Sequence, residues 1–469
     1  MPTRPEVQGT PAANIPDDGS GVADPSASNA PSSGGTARDE VLISMRDVEV
    51  HFELRASALA RLIGGASDTV KAVDGVNLDL RRGEVLGLVG ESGSGKTTLG
   101  RALLGLVRPT SGTIEYSGQD IAELPERRMR PLRRRLQMVF QDPHAALNPA
   151  MDLQTAIGHP LRIQKLVHSK DELRQRVAEA LERVGLTPAG QFLTKMPSEL
   201  SGGQKQRAVI ARSIICGPEL LVADEPISML DMSVRAKILE LMLDLKRDLD
   251  LTYVYITHDL ATAKFFCDRV AIMYLGRVVE LGPTEQIFAD PKHPYTKALL
   301  GAIPDPDPDR MVPRDLPRGE IPDAAAPPHG CSFHPRCPFA FEPCGWEARD
   351  LRALFERRWI DLGEEALANE APLVAALDDV APGQAEVRLP TPSGRSIGEL
   401  TALFDATRAE MPDDPIWRGV ASISPEGDEL VVRFREGIDP GLLALDGVDV
   451  ACHLHDPSLN PPQVSPSRS

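Results

Sequence analysis

Three short runs dominate the hydrophobic pattern: VLGLVG (85–90), LLVAD (220–224) and TYVYIT (252–257). Each is almost continuously apolar and strand-length, the mark of a strand buried on both faces. Between them the period changes. KTTLGRALLGL follows the first run as a helix. DELRQRVAEALERVGL and VRAKILELMLDLKRDL space their apolar residues as amphipathic helices do. Upstream, VLISMRDVEVHF predicts a strand beginning near Val41, and VAIMYLGRVVELG (270–282) predicts a hairpin turning at Gly276. Strands alternating with helices predict an α/β fold around a substantially parallel sheet.

Elsewhere the pattern fails. Residues 1–38 hold 22 Gly, Pro, Ser and Ala and no aromatic, too little apolar surface to offset the entropy of ordering, so a disordered tail is expected. Residues 55–70 form an Ala-rich insertion, and 302–330, rich in Pro and Asp, predict an extended connector. Beyond it, SPEGDE (424–429) between WRGVASI and LVVRF reads as a hairpin turn, and the C-terminal segment as a small α/β appendage.

Charge sharpens this division. The chain's net charge is −17, and residues 345–469, with 23 acids, 11 arginines and no lysine, carry −12 of it. The acidity belongs to the tail. So acidic a chain, with only 4% aromatics, is a poor candidate for binding nucleic acid. No run approaches the roughly 20 apolar residues of a membrane span, and no signal peptide is visible. Six cysteines in 469 residues are no disulfide scaffold. A soluble, cytosolic, multidomain protein is expected.

The first buried run leads into GESGSGKT (90–97), which fits Gly-x4-Gly-Lys-Thr between a strand and a helix. Gly90, Ser92, Gly93 and Gly95 let backbone N–H groups close around phosphate oxygens at a helix N-terminus. Lys96 is placed to neutralise the β and γ phosphates, Thr97 offers a hydroxyl to Mg²⁺, and Thr98 continues the same helix start. The second run ends in two carboxylates. Asp224 is expected to hold Mg²⁺, and Glu225 to accept a proton from attacking water. An Asp-Glu-Pro turn alone is common; paired with the loop it implies a nucleoside triphosphate, without saying what use is made of it. LSGGQKQR (200–207) adds a separate anion nest at a helix start, Ser201, Gly202 and Gly203 followed by Gln204. A second nest makes sense if it serves a nucleotide held by another subunit.

These strings together resemble the ATP-binding cassette (ABC) ATPases over roughly residues 41–345. The resemblance implies ATP and Mg²⁺ as ligands and an ABC-type fold with an α-helical subdomain, followed by a C-terminal cysteine-containing regulatory appendage. It implies further roles. Gln141, in MVFQDPHAALNP, would touch Mg²⁺ and the attacking water and sense the transmembrane partner. His258, in YITHDL, would contact the γ-phosphate, and Asp231, ending SMLD, would lie in a loop crossing the dimer interface, with Met229 where alanine is usual. Phe52 is either the ring that stacks on adenine or an ordinary strand-end core aromatic. AVDGVNLDLRRGEVLGLVGESGSGKTTLGRALLGL, LQMVFQDP and DPKHPYTKALLGAIP are similar to the second ATPase of bacterial oligopeptide, dipeptide or nickel importers. That implies a different partner ATPase, two permeases, an extracytoplasmic solute-binding protein, no nucleic acid, and a peripheral place on the cytoplasmic face of the membrane. The expected boundaries are a tail at 1–38, the ATPase domain at 39–290, the importer-type extension at 291–345 and the acidic appendage at 346–469.

Cys331, Cys337 and Cys344 are separated by five and six residues, and Cys452 follows after 107 more. Four thiolates suffice for a [4Fe–4S] cluster or a zinc site, and the spacing is wider than that of zinc ribbons. The three readings are iron–sulfur, zinc or no metal, and the pattern resembles the C-terminal cysteines of peptide-importer ATPases, some of which hold a [4Fe–4S] cluster. Cys216 and Cys267, apolar-flanked, read as core residues; His453 and His455 read either as further metal ligands or, more blandly, as surface imidazoles. The rival to a transport ATPase is a soluble ABC protein acting on nucleic acid or ribosomes; its coiled-coil, second cassette or zinc-finger insertion is not visible. A catalytically dead regulatory ATPase is disfavoured by Glu225, His258 and an unbroken LSGGQ.

Overall fold

The computed structural model describes residues 40–53, 69–303, 319–381 and 383–462. The N-terminal tail and most of the 55–70 insertion lie outside these residues, as does 304–318 of the connector.

The three apolar runs form neighbouring strands of one sheet. Its order, edge to edge, is Leu443–Leu445, Val448–Val450, Arg277–Pro283, Arg269–Tyr274, Val85–Val89, Thr252–Thr257, Leu220–Asp224 and Leu136–Val139. The last five pair in parallel and the first four are joined antiparallel. Val85–Val89, Leu220–Asp224 and Thr252–Thr257 are buried at every position. Alternation then divides their side chains between two cores: Val85, Leu221, Tyr253 and Tyr255 on one face, Leu86, Val222, Val254 and Ile256 on the other. The 270–282 hairpin turns at Leu275 and Gly276, both with positive φ, the geometry that matches strand twist.

The second core is closed by an antiparallel sheet, ordered Thr69–Arg81, Val41–Glu53, Ser111–Tyr116 and Gln119–Asp120. Helices Leu153–Ile163, Lys170–Arg183 and Gly202–Ile214 pack on the other side, burying Leu153, Ile157, Leu173 and Val177.

The C-terminal segment is α+β rather than α/β. Glu386–Pro390, Val420–Glu426 and Glu429–Phe434 form a wholly antiparallel sheet flanked by helices Ala348–Leu362 and Ile397–Glu410. The predicted turn joins its second and third strands at Gly427, and so tight a connection permits only antiparallel pairing. The core does not break at 290 or at 345: Val85, Tyr295, Cys331, Phe404 and Phe434 belong to one continuous cluster. Val448–Val450 pairs with the cassette hairpin through Glu280 and Leu281. The fully buried Glu280 carboxylate accepts from the amides of Lys292 at 2.7 Å and His293 at 3.0 Å, tying the extension to the same hairpin. No helix among the described residues is long and apolar enough to cross a membrane.

Candidate active site

The parallel strands bring three ends level. Val89 pairs with Thr257 and Ile272, and Asp224 with Ile256. Gly90, Glu225 and His258 thus follow at one edge of the sheet, the carboxyl edge where open α/β sheets bind ligands.

Backbone packing dictates two of the loop glycines. A Cβ at Gly90 would lie 2.2 Å from the Met273 carbonyl oxygen. Gly95, at φ 96°, would place one 2.1 Å from that of Ala72. The Gly276 amide braces the loop by donating to the Ser94 carbonyl at 3.1 Å. Ser92 and Gly93 are exposed at the loop's crown. Lys96 begins the helix Lys96–Leu103 and turns back into the loop. Its Nζ donates to the carbonyls of Gly90 at 2.8 Å and Glu91 at 2.7 Å, and to Ser94 Oγ at 3.2 Å. Burial pulls its pKa down, against the carboxylates of Glu225, Asp224 and Glu91.

Thr97 Oγ1, one residue before Thr98 in the same half-buried turn, donates to Asp224 Oδ1 at 3.0 Å. A hydroxyl beside a carboxylate is a hard-oxygen donor set of the kind Mg²⁺ takes. Burial raises the Asp224 pKa, and the Thr97 bond opposes that shift.

Glu225 stands just past its strand at φ 43°, a region costly for a residue with a side chain, and its amide is held by the Ile256 carbonyl at 3.0 Å. Its Oε2 accepts from Gln141 Nε2 at 2.9 Å, and its Oε1 lies 2.9 Å from His258 Nδ1. Three residues from separate segments thus meet on one carboxylate. A cavity of about 420 Å³ opens beside Glu225 and His258.

Ser201 is part of another feature. It caps the helix Gly202–Ile214: its Oγ accepts from the Gln204 amide at 3.3 Å, and Gln204 Oε1 accepts from the Ser201 amide at 3.0 Å. Ser201 and Gly202 are exposed, Gly203 and Gln204 half-buried. Asp231, also exposed, precedes the helix Met232–Leu249. Arg235 pins its loop through the carbonyls of Leu230 at 2.7 Å and Ser228 at 3.2 Å. Met229 is 63% exposed, so its bulk disturbs nothing in this chain's packing. Phe52, opposite Val70 at a strand end, is 45% exposed and is not a core aromatic.

The four C-terminal thiols are free, buried, and line one cavity of about 10 Å³ with His293 and His453. The chain between Cys344 and Cys452 therefore folds back on itself. Burial pushes Cys331 up to about 11 and Cys452 up to about 12, and raises Cys337 and Cys344 as well. Among the described residues, the only His, Cys, Asp and Glu group with ligand atoms all within 4.8 Å of one another is Glu49, His51 and Asp74. A tetrahedral zinc with Zn–S near 2.3 Å holds its sulfurs roughly 3.8 Å apart. No three of the four thiols have sulfurs that all lie within 4.8 Å of one another. His453 is buried, overturning the surface reading, because its neighbour Cys452 is drawn into the core; His455 is half-buried, and its Nε2 lies 3.1 Å from the Lys292 carbonyl. Cys216 and Cys267 are core residues. One contact with the phosphate loop carries no motif at all: Arg336, between two of the cysteines, reaches Glu91.

Known proteins match the chain along the same lines. The ABC transporter family matches residues 73–228, and the oligopeptide/dipeptide transporter C-terminal region matches 279–344, which includes three of the cysteines. A putative peptide import ATP-binding protein of Brucella ovis is 45% identical over 311 residues, covering 66% of this chain and 94% of its own length. The oligopeptide transport ATP-binding proteins AppF of Bacillus subtilis and OppF of Salmonella typhimurium are 44% and 43% identical, covering 66% and 65% of this chain and 92% and 91% of theirs. The chain belongs to the ABC transporter family of peptide-import ATP-binding proteins.

Proposed function

We propose that this ATPase energises the import of peptides, working at the cytoplasmic face of the membrane with two permeases, a solute-binding protein and a second, different ATPase. The observation that carries the ATPase reading is the Glu225 carboxylate held between Gln141 and His258 beside the phosphate loop. The peptide-importer reading rests on the named relatives and on the match over 279–344, which favours it over an ATPase serving nucleic acid or ribosomes.

The residues divide the work. Residues 90–97 receive the triphosphate, with Lys96, held by the loop carbonyls, turning its longest contact, to Ser94 Oγ at 3.2 Å, over to a phosphate oxygen, and Phe52 offering an exposed ring to adenine. Thr97 and Asp224 would hold Mg²⁺ with Gln141, and the ion supplies charge neutralisation on the phosphates. Glu225 takes the proton from water, and Gln141 and His258 fix the orientation of its two oxygens. Ser201, Gly202, Gly203 and Gln204, exposed on their own helix start, complete the partner's nucleotide site, with Asp231 on the same interface. The four buried thiols fit a soft-metal donor set, which a [4Fe–4S] cluster or zinc would use; the cluster is the reading carried forward.

Purification of the full chain expressed with its genomic neighbours tests this. Co-eluting permeases and ATP-dependent peptide uptake by proteoliposomes are expected. A stable assembly that hydrolyses ATP but moves no peptide would overturn the substrate class.

A further inference from the structure

Glu91 is an anion inside a loop built for anions, so it needs a reason. All three of its polar groups are engaged. Its amide donates to Tyr295 Oη at 3.0 Å, and its carbonyl accepts from Lys96 Nζ at 2.7 Å. Its carboxylate takes two bonds from one guanidinium: Arg336 Nη1 to Oε2 at 2.8 Å and Nη2 to Oε1 at 3.3 Å. Arg336 lies 245 residues further along the chain, between Cys331 and Cys337.

Arg336 is only 9% exposed, and its guanidinium sits 5.9 Å from the ring centres of both Tyr274 and Phe333. Tyr274 immediately precedes the Leu275–Gly276 turn that braces Ser94. The arginine is therefore clamped between the loop's acid and the hairpin behind it. Its own backbone is fixed by a tight turn, in which the Arg336 amide donates to Phe333 O at 3.0 Å and the Cys337 amide to His334 O at 3.1 Å. His334, buried, anchors that turn through the Cys331 carbonyl at 2.8 Å and Asp350 at 3.2 Å. Two consequences follow. The forked pair fixes the direction of Glu91, and with it the carbonyl that faces Lys96. It also neutralises a carboxylate that would otherwise repel an incoming triphosphate.

We propose that Arg336 is a positioning residue for the phosphate-binding loop, tying the thiol-bearing turn to Glu91 so that the turn's integrity governs affinity for ATP. This rests on ATP being the ligand of residues 90–97. The wild-type full chain is titrated with a fluorescent ATP analogue and assayed for turnover alongside the variants, so that absence of binding in the wild type would indict the nucleotide reading instead. Arg336→Gln is expected to raise Kd and KM for ATP about tenfold with kcat within about twofold. Arg336→Lys, which keeps the charge and loses the fork, falls between. In a Glu91→Gln background, Arg336→Gln adds nothing further. Cys337→Ser weakens ATP binding in the parent and leaves it unaltered in Arg336→Gln. A wild-type Kd in folded Arg336→Gln, or in folded Arg336→Lys should the first not fold, overturns the proposal. So does an undiminished effect in the Glu91→Gln background. An unchanged Kd in Cys337→Ser overturns the link to the turn.

Discussion

Replacing Glu225 by Gln isolates chemistry from shape. The carboxylate makes two contacts, with Gln141 Nε2 and His258 Nδ1, both at 2.9 Å. A glutamine can keep both: its oxygen accepts from Gln141, and its amide donates to His258 when the imidazole proton is on Nε2. The backbone at φ 43° bears the same strain with either side chain. Fold stability should therefore change by no more than about 1 kcal/mol, and the phosphate loop keeps Lys96 and Thr97. What is lost is the ability to take a proton from water. Removal of a general base costs roughly 10²–10⁴ in rate, or about 3–5 kcal/mol of transition-state stabilisation. The assay is steady-state ATP turnover of the full chain, with bound nucleotide measured after gel filtration. Turnover should fall by that factor while ATP remains bound and the closed dimer accumulates. Turnover equal to wild type would refute the role of Glu225 as base. Loss of ATP binding together with turnover would show that Glu225 acts in holding the nucleotide.

Lys96→Ala should abolish ATP binding and transport, because it removes both the phosphate countercharge and the three loop contacts that Lys96 makes; retention of ATP on a filter-binding assay would contradict this. Ser201→Arg should stop hydrolysis at the partner-held nucleotide and spare the one bound by this chain's Lys96. It should also cost about 1 kcal/mol of helix cap, read by thermal melting; in a mixed dimer with one labelled site, loss confined to the chain's own site would refute it. Anaerobically purified protein should be brown and carry about four irons. Stoichiometric zinc without iron, or freely alkylated thiols and no metal, would each overturn the cluster.

What the sequence determined by itself is local. Continuous apolar runs marked the buried strands, since a strand covered on both faces has no polar side to display. The glycines and lysine of 90–97, and the adjacent carboxylates Asp224 and Glu225, stand out in the sequence because each motif lies within a few consecutive residues, and together they carry the proposed nucleotide site. Tertiary structure decided what is not local. Gln141, Glu225 and His258 converge only because the strand register brings their loops to one edge. Cys452 reaches the other thiols, and His453 is buried with it, through pairing of Val448–Val450 with the hairpin, a strand of three residues too short to show any period. In the acidic segment the turn at 424–429 was legible, and with it one antiparallel pair, whereas the addition of Glu386–Pro390 on the other side of Glu429–Phe434 is a long-range pairing with no local signal. Arg336 and Glu91 are each unremarkable in their own stretch of chain. They meet across 245 residues of separation because Tyr274 and Phe333 pack around the guanidinium, and no periodicity records a contact whose attraction must offset the cost of desolvating two charges together.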